Sequence, residues 1–471
     1  MTNKILFHLF QRMEKTTTQK GKDMLLYEGY RYKFAKCNAD WSISWRCLQA
    51  NCRGRVKVLN ENITVVSQHN HAPDPEKIQT IKAVVKMREN ATLEFGRPRQ
   101  IIRSATEGIS MDAVALLPSY NACQRVIERK RKLVLETYVT PRTVADIVIP
   151  LHQQLTNRGS PFLLWDSGAL DPHRILMFGT YDNLDALRVN SHWFIDGTFK
   201  VAPELYMQVF TIHGLIQNKA LPMVYVLLTN KTEDSYFRLF DTLKTLQPAL
   251  NPQSVMSDFE KASQNAVQRV FPTTESVGCL FHLGKCLWRK VQQLNHEEEY
   301  KNDENFRIHV KMLLSLSFVP PVNVIAVFDE LALNCPPTMN DLIAYWEDTY
   351  IGRLRLNVRV NPRFPIQTWN VYSRVTEGLP RTNNSVEGWH RAFQQCVDCH
   401  HPSIYKIVEH FRKEQDHVEI QLQRIRDGVQ WPTSSKSKYV QLNRRLESIL
   451  PMYGMIANMD YLRRIAHNLS M

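Results

Sequence analysis

At 471 residues, 44% hydrophobic and 22% charged, the chain has the make-up of a globular protein with room for two or three domains. No run approaches the ~18 apolar residues of a membrane span, and residues 1–10 are too short and too polar-flanked for a signal peptide, so a soluble intracellular protein with no membrane partner is expected. Residues 1–150 carry 25 Lys and Arg against 14 Asp and Glu and so hold +11 of the formal +13, a local excess suited to a polyanion; Tyr27, Tyr30, Tyr32, Phe34, Trp41 and Trp45 in the same stretch argue against a disordered basic tail.

Residues 24–71 alternate short β-rich runs (24–27, 29–35, 43–47, 54–59 and 63–67) with turn residues, which predicts a small all-β module. Nine cysteines are an odd number, so metal binding is a better first question than a disulfide framework. Within the module, Cys47-x4-Cys52 is followed by His69-x-His71. Two thiolates and two imidazoles close a tetrahedral zinc site with no open position. Such a Zn²⁺ is scaffold rather than catalyst, because a module this small buries little core and metal-binding free energy becomes folding free energy. The alternative is two buried cysteines and two surface histidines. The stretches GYRYKF and WRC, the second cysteine and HNH are similar to those of the FLYWCH zinc fingers, whose relatives include other DNA-binding fingers ending in His-x-His. Cys37 lies outside that ligand pattern.

Past His-Ala-Pro-Asp-Pro at 71–75, residues 78–131 show helical periodicity interrupted at Pro98 and Pro118, which predicts two or three short helices. The last carries Arg125, Arg129, Lys130, Arg131 and Lys132. A solvated helix face, nuclear import and DNA contact all suit such a run, and DNA binding is the role expected of it.

Between Trp193 and Leu283 the pattern reads strand, strand, strand, helix, strand, helix, strand. A hairpin-connected meander followed by crossover connections predicts a mixed sheet of the ribonuclease H type. Residues 285–350 read as mostly helical, with breaks at Pro320-Pro321 and Pro336-Pro337, and further helices are expected over 384–397 and 403–427. No internal repeat is present.

Three acids stand out. Asp196 sits in the apolar run Trp-Phe-Ile-Asp-Gly-Thr-Phe, where an ionised group is costly unless it is paired or binds a cation. Asp258 falls where a strand gives way to a helix, the rim on which ligands collect in sheet proteins; Ser257 with Glu260 also matches a capping box, which would reduce Asp258 to a favourable first-turn acid. Glu387 in Asn-Ser-Val-Glu can likewise be read as part of a helix cap.

Taken together, the order and spacing of Asp196, Asp258 and Glu387 along the chain resemble the catalytic triad of DDE transposases. Phe-x-Asp-Gly-Thr-Phe, Ser-Asp-x-Glu-x-Ala, Cys279-x2-His282 and Thr-Asn-Asn-Ser-x-Glu look like the ordered motifs of the Mutator-like element (MULE) transposases, whose core has a helical insertion before its Glu. The resemblance spans roughly residues 145–400. It implies Asp196 bridging two Mg²⁺ or Mn²⁺ ions, Asp258 and Glu387 each serving one, and His282 near the scissile phosphate. Phosphodiester cleavage needs an activated water and a stabilised leaving oxygen, which two ions ~3.5–4 Å apart supply, and carboxylates are the ligands Mg²⁺ prefers. For Cys279, His282 and Cys286, a zinc site without a clear fourth ligand, an element ordering the active site and a merely buried pair all stay open. Cys396-x2-Cys399-His400-His401 reads as packing or surface rather than metal.

The expected protein is thus α+β and multidomain: an N-terminal extension (1–23), a β-rich FLYWCH-type zinc finger (24–75), a helical basic region (76–144), the first part of a ribonuclease H-like core (145–284), a helical insertion (285–375), the core's continuation with the third acid (376–430) and a helical tail (431–471). The implied function is a nuclear DDE transposase acting on double-stranded DNA at element ends and target by metal-dependent cleavage and strand transfer. The alternative is a host-adopted, transposase-derived DNA-binding regulator without catalysis. A homo-oligomer is expected because two ends must be brought together, and the amphipathic segment 404–425 offers an interface, though core packing is the commoner role of such a stripe.

Overall fold

The computed structural model describes residues 13–17, 22–93, 98–135, 141–356, 358–430 and 437–469, which fall into two compact units divided at Thr140 and Pro141. Residues 1–12 and 18–21 of the expected extension and 431–436 of the tail lie outside that description.

In the first unit, six strands form one antiparallel meander in chain order: β1 (Glu14–Thr17), β2 (Asp23–Tyr27), β3 (Tyr30–Cys37), β4 (Ile43–Cys47), β5 (Arg55–Leu59) and β6 (Asn62–Ser67). The five expected strands are present, and β1 adds a sixth at the edge. Glu28 and Gly29 both take positive φ (47° and 80°), giving the two-residue turn whose twist matches that of the strands it joins. A Cβ on Gly29 would also stand 2.6 Å from Pro73 Cβ. One face of the sheet buries Leu25, Tyr32, Trp45, Val56 and Val58. Four helices follow: α1 (Pro75–Leu93), α2 (Pro98–Thr106), α3 (Met111–Ala115) and α4 (Tyr120–Leu135), with Met87, Ala91, Ile101, Ala105, Cys123 and Ile127 as the common core of α1, α2 and α4.

The second unit is built on a seven-stranded sheet. Its strands are β7 (Leu163–Asp166), β8 (Leu176–Phe178), β9 (His192–Thr198), β10 (Gln208–Ile216), β11 (Lys219–Leu228), β12 (Ser254–Ser257) and β13 (Glu275–Gly278), in spatial order β13-β12-β9-β10-β11-β8-β7. From β9 outward through β7 all pairings are antiparallel, whereas β12 lies parallel to both β9 and β13. The crossovers this demands are α6 (Glu233–Leu246) and α7 (Lys261–Val270), after a short α5 (Tyr181–Val189) ahead of β9.

Strand alternation gives β9 two different faces. Trp193 and Ile195 join the cluster formed with α6 and α7, while Phe194 enters a second cluster with Met256, Val277, Cys279 and Val386. Asp196 therefore projects toward the side occupied by Val386, whose helix is described below.

After α8 (Leu280–Gln293) comes a helical region: α9 (Glu297–Asn302), α10 (Glu304–Ser315), α11 (Val324–Asn334), α12 (Asn340–Trp346), α13 (Ile366–Trp369) and α14 (Tyr372–Thr376). A π-helical turn, Glu347–Ile351, ends at Gly352, where φ is +95° and a Cβ would lie 1.9 Å from the Val360 carbonyl oxygen, so glycine is required. Then come α15 (Asn384–Val397), α16 (Ile404–Arg426), α17 (Ser437–Ile449) and α18 (Asn458–Ala466). The last two close the core of the helical region, with Leu446, Tyr461, Leu462 and Ile465 buried among residues of α8, α10 and α11, and the Tyr461 hydroxyl donating to the Phe318 carbonyl at 2.6 Å.

The stripe on α16 is core. Val418 and Leu422 belong to the sheet's main cluster, and Ile404, Ile407, Val408 and Phe411 are buried as well, so this face is not a free interface. No helix among the described residues is long and apolar enough to cross a membrane.

Candidate metal centre and active site

In the first unit, Cys47 at the end of β4, Cys52 in the following turn and His69 and His71 beyond β6 converge, with one donor atom from each lying within 4.8 Å of all the others. Cys47 Sγ is 3.3 Å from His71 Nε2, and Cys52 Sγ is 3.4 Å from His69 Nδ1. A tetrahedral zinc with ordinary bond lengths separates sulfur and nitrogen ligands by ~3.5 Å, so the four residues fit a structural zinc ion.

Surrounding groups select which ring nitrogen faces the centre. His71 Nδ1–H donates to the Ala72 carbonyl at 2.8 Å, leaving Nε2 free to ligate. His69 Nε2 meets the Tyr32 hydroxyl at 2.8 Å, leaving Nδ1. Backbone N–H groups of Gln49 and Gly54 donate to the Cys47 and Cys52 sulfurs, each at 3.3 Å. The Tyr30 ring stacks on His69 at 3.6 Å, and Gly54 lies beneath the same imidazole: a Cβ there would come within 2.5 Å of the ring. Gly54→Ala is therefore expected to displace His69 and weaken zinc binding by about 10- to 100-fold, as read by competition with a chromogenic chelator.

On α4, Cys123 and Ile127 face inward while Arg125, Arg129 and Lys130 are exposed. The helix continues through Arg131 and Lys132, whose side chains lie outside the described residues.

In the second unit, three register pairs join β9 to α15. Phe194 packs with Val386, Asp196 Oδ2 lies 3.1 Å from His390 Nδ1, and Thr198 Oγ1 accepts from Gln394 Nε2 at 2.8 Å. A strand period of two is thus matched to helix steps of four. The other oxygen, Asp196 Oδ1, accepts the Gly197 N–H at 2.8 Å. Behind His390, Nε2 reaches Thr211 Oγ1 at 3.1 Å, and Thr211 Oγ1 meets His213 Nε2 at 3.0 Å, a buried chain running from the acid into the sheet. Complete burial, with His390 nearby, holds the His213 imidazole well below its ordinary pKa, so it is neutral.

Asp258 follows β12 in a short loop and shares with Asp196, Gly197, Ser257 and Glu260 the lining of one cleft. Helix α7 begins only at Lys261, with Glu260 in the cap position and no capping side chain, and Ser257 Oγ donates to the Asp258 carbonyl instead. The capping role weighed for Asp258 is therefore not realised. For Glu387, α15 has no side-chain cap and Asn383 Oδ1 accepts from the Cys279 thiol at 3.0 Å, but Glu387 does lie in the helix's first turn. Cys279 thereby ties the end of β13 to the start of α15.

His282, on α8, stands between two acids. Its Nδ1 is 2.7 Å from Asp258 Oδ1 and its Nε2 is 3.3 Å from Glu387 Oε1, with Lys285 Nζ 3.8 Å from the same Glu387 oxygen. Burial opposes its charge, but Asp258 and Cys279 outweigh burial and raise the His282 pKa to about 10. The close approach of Asp258 Oδ1 to His282 Nδ1 lies off the hydrogen-bond axis, so both atoms are buried without an aligned partner. Among the described residues, the three carboxylates are not gathered within 4.8 Å of one another as the finger's donors are.

Sequence reasoning missed His390. Its signal was the spacing Glu387-x2-His390, which places both residues on one side of a helix. Among the described residues, Cys279, His282 and Cys286 form no four-donor group, and neither do Cys396, Cys399, His400 and His401; Cys396 and Cys399 are exposed.

Residues 192–286 match the MULE transposase domain family and residues 15–71 match the FLYWCH zinc finger domain family. The first match includes Asp196, Asp258 and His282 and ends before Glu387; the second spans all four finger ligands. No curated protein matches the chain.

Proposed function

We propose that the chain, which its two matched domains mark as a transposase-related, DNA-binding protein, is a DDE transposase that cleaves DNA at the ends of a mobile element and joins the exposed 3′ hydroxyl to target DNA. The observation that carries this reading is the convergence of Asp196, Asp258 and Glu387 around His282 and His390, from a strand, a strand end and a helix far apart in sequence. The strand order β13-β12-β9-β10-β11, with β12 and β13 parallel to β9, supports a ribonuclease H-like core.

An oxygen donor set suits Mg²⁺ or Mn²⁺, and the unaligned Asp258 Oδ1 is a donor such a cation would satisfy. Asp196, Asp258 and Glu387 are the residues that would hold such cations. When bound, the ions supply an activated water and a stabilised leaving oxygen. The chain's own residues do the positioning. Gly197 and His390 fix the two oxygens of Asp196, and His282 lies between Asp258 and Glu387, where its ring could contact a scissile phosphate.

His390 acts through Asp196, so His390→Ala is expected to lower cleavage about 10- to 100-fold and to raise the Mg²⁺ concentration needed for half-maximal rate, leaving DNA affinity unchanged. Equal loss at saturating and limiting Mg²⁺ would contradict that role. The zinc finger and the exposed cations of α4 are assigned to DNA recognition, pairing of two element ends calls for an oligomer, and a nuclear location belongs to the same proposal.

The full chain, given DNA bearing matched terminal repeats and Mg²⁺, should release strands ending in a 3′ hydroxyl and join them to a second duplex. Binding of such DNA with no cutting at any divalent-ion concentration would instead make it a transposase-derived DNA-binding regulator whose core is a scaffold.

A further inference from the structure

Beside the acids lies a cleft of about 400 Å³ whose lining is strongly basic. Asp258, Glu260 and His282 line it together with five cations, Lys231, Lys261, Lys285, Arg289 and Arg363. Two of these have carboxylate neighbours, Lys231 with Glu260 at 3.2 Å and Lys285 with Glu387 at 3.8 Å. Lys261, Arg289 and Arg363 have no carboxylate within ion-pair distance among the described residues.

These three come from separate elements. Lys261 opens α7, Arg289 lies on α8 and Arg363 belongs to the helical region, just before α13. Lys261 and Arg363 approach the same ring: Lys261 Nζ is 5.2 Å, and the Arg363 guanidinium carbon 5.5 Å, from the centroid of Phe364, itself buried edge-on against Phe259. Partial burial first, and then the neighbouring Arg363, hold the Lys261 ammonium below its ordinary pKa. Proteins seldom converge unpaired cations on one half-enclosed cleft unless an anion completes it.

We propose that Lys261, Arg289 and Arg363 bind the phosphate backbone of DNA flanking the scissile position, so that the helical insertion, through Arg363, forms one wall of the substrate channel. This assignment rests on the DNA-cleaving reading above for its direction, since the cleft opens beside Asp258. The contacts are to backbone, so they add affinity without sequence preference.

The test is the salt dependence of duplex-DNA affinity for the full chain, measured without divalent ions so that catalysis plays no part. Removing one phosphate-neutralising cation lowers the slope of log affinity against log salt by ~0.9. The triple variant Lys261→Gln, Arg289→Gln, Arg363→Gln should therefore lose ~2.7 from the slope. Arg363→Gln alone should lose ~0.9, and Arg363→Lys, which keeps the charge, close to none. A triple control at the exposed Arg188, Arg424 and Arg464 should retain the wild-type slope. An unchanged slope in the cleft variant, or an equal loss in the control, overturns the proposal. Wild-type protein that never cuts DNA would contradict the transposase reading alone, because the slope is read without cleavage.

Discussion

Asparagine in place of Asp196 is expected to abolish Mg²⁺- or Mn²⁺-dependent cleavage, a loss of about a thousandfold or more, while DNA affinity, zinc content and thermal stability stay close to wild type. The magnitude follows from the function proposed above, in which Asp196 would supply one of the charges that hold the metal ions. Their stabilisation of the transition state is worth several kcal/mol, and each ~1.4 kcal/mol changes the rate tenfold. Asparagine keeps the shape of the side chain. Its carbonyl can still accept the Gly197 N–H, as Asp196 Oδ1 does at 2.8 Å. The strand is otherwise held by its pairing to β10, where Thr211 lies opposite position 196, and by Trp193 and Ile195 on the other face. A variant that bound DNA normally and cut at the wild-type rate would remove Asp196 from the chemistry. One that lost DNA binding as well would assign it a structural role.

Removal of the zinc ion is expected to unfold the β module. The sheet of the first unit buries five large side chains in its main cluster, a small core for six strands. Structural zinc contributes ~10–16 kcal/mol of apparent binding free energy, comparable to the whole stability of an ordinary domain. Chelation, or Cys47→Ser, should therefore open residues 22–71 to proteolysis and abolish the contribution of the finger to DNA affinity, while fragments of the second unit stay protected. Wild-type resistance across residues 22–71 in the zinc-free protein would show that the hydrophobic cluster suffices without metal.

What the sequence revealed and what it concealed follow from where side-chain pattern carries information. The strands β2 to β6 and β9 to β12 were legible because each has an alternating or apolar run ended by turn residues. The last expected strand, read as reaching Leu283, stops instead at Gly278 and gives way to α8 at Leu280, since a short apolar run does not distinguish strand from buried helix. Strand β1, Glu-Lys-Thr-Thr, has no such pattern; it is an edge strand held by backbone pairing to β2, which leaves no trace in residue type. The outer pair β7 and β8 is three or four residues long per strand, too short for a period to show. Docking of α17 and α18 into the helical region depends on contacts such as that of Tyr461 with Phe318, 143 residues away, which no local pattern encodes.

At the site, residue type and order singled out the three acids, and their neighbours in the structure bear on the capping alternative. Asp258 and Glu387 both fitted helix caps on paper; the late start of α7 removes that reading for Asp258, whereas Glu387 lies in the first turn of α15, where Asn383 engages Cys279 and no side chain caps the helix. His390 stayed hidden because a histidine on an amphipathic helix is most often part of its packing, and only the 3.1 Å approach to Asp196 sets it apart.

The central claim, that Asp196, Asp258 and Glu387 form a divalent-metal centre, is tested most directly by titrating Mn²⁺ into the zinc-loaded full chain and recording its electron paramagnetic resonance. Two bound ions with a spin-coupled spectrum, lost in Asp196→Asn and displaced by excess Mg²⁺, are expected. Binding that is absent, or that persists unchanged in Asp196→Asn, would contradict it.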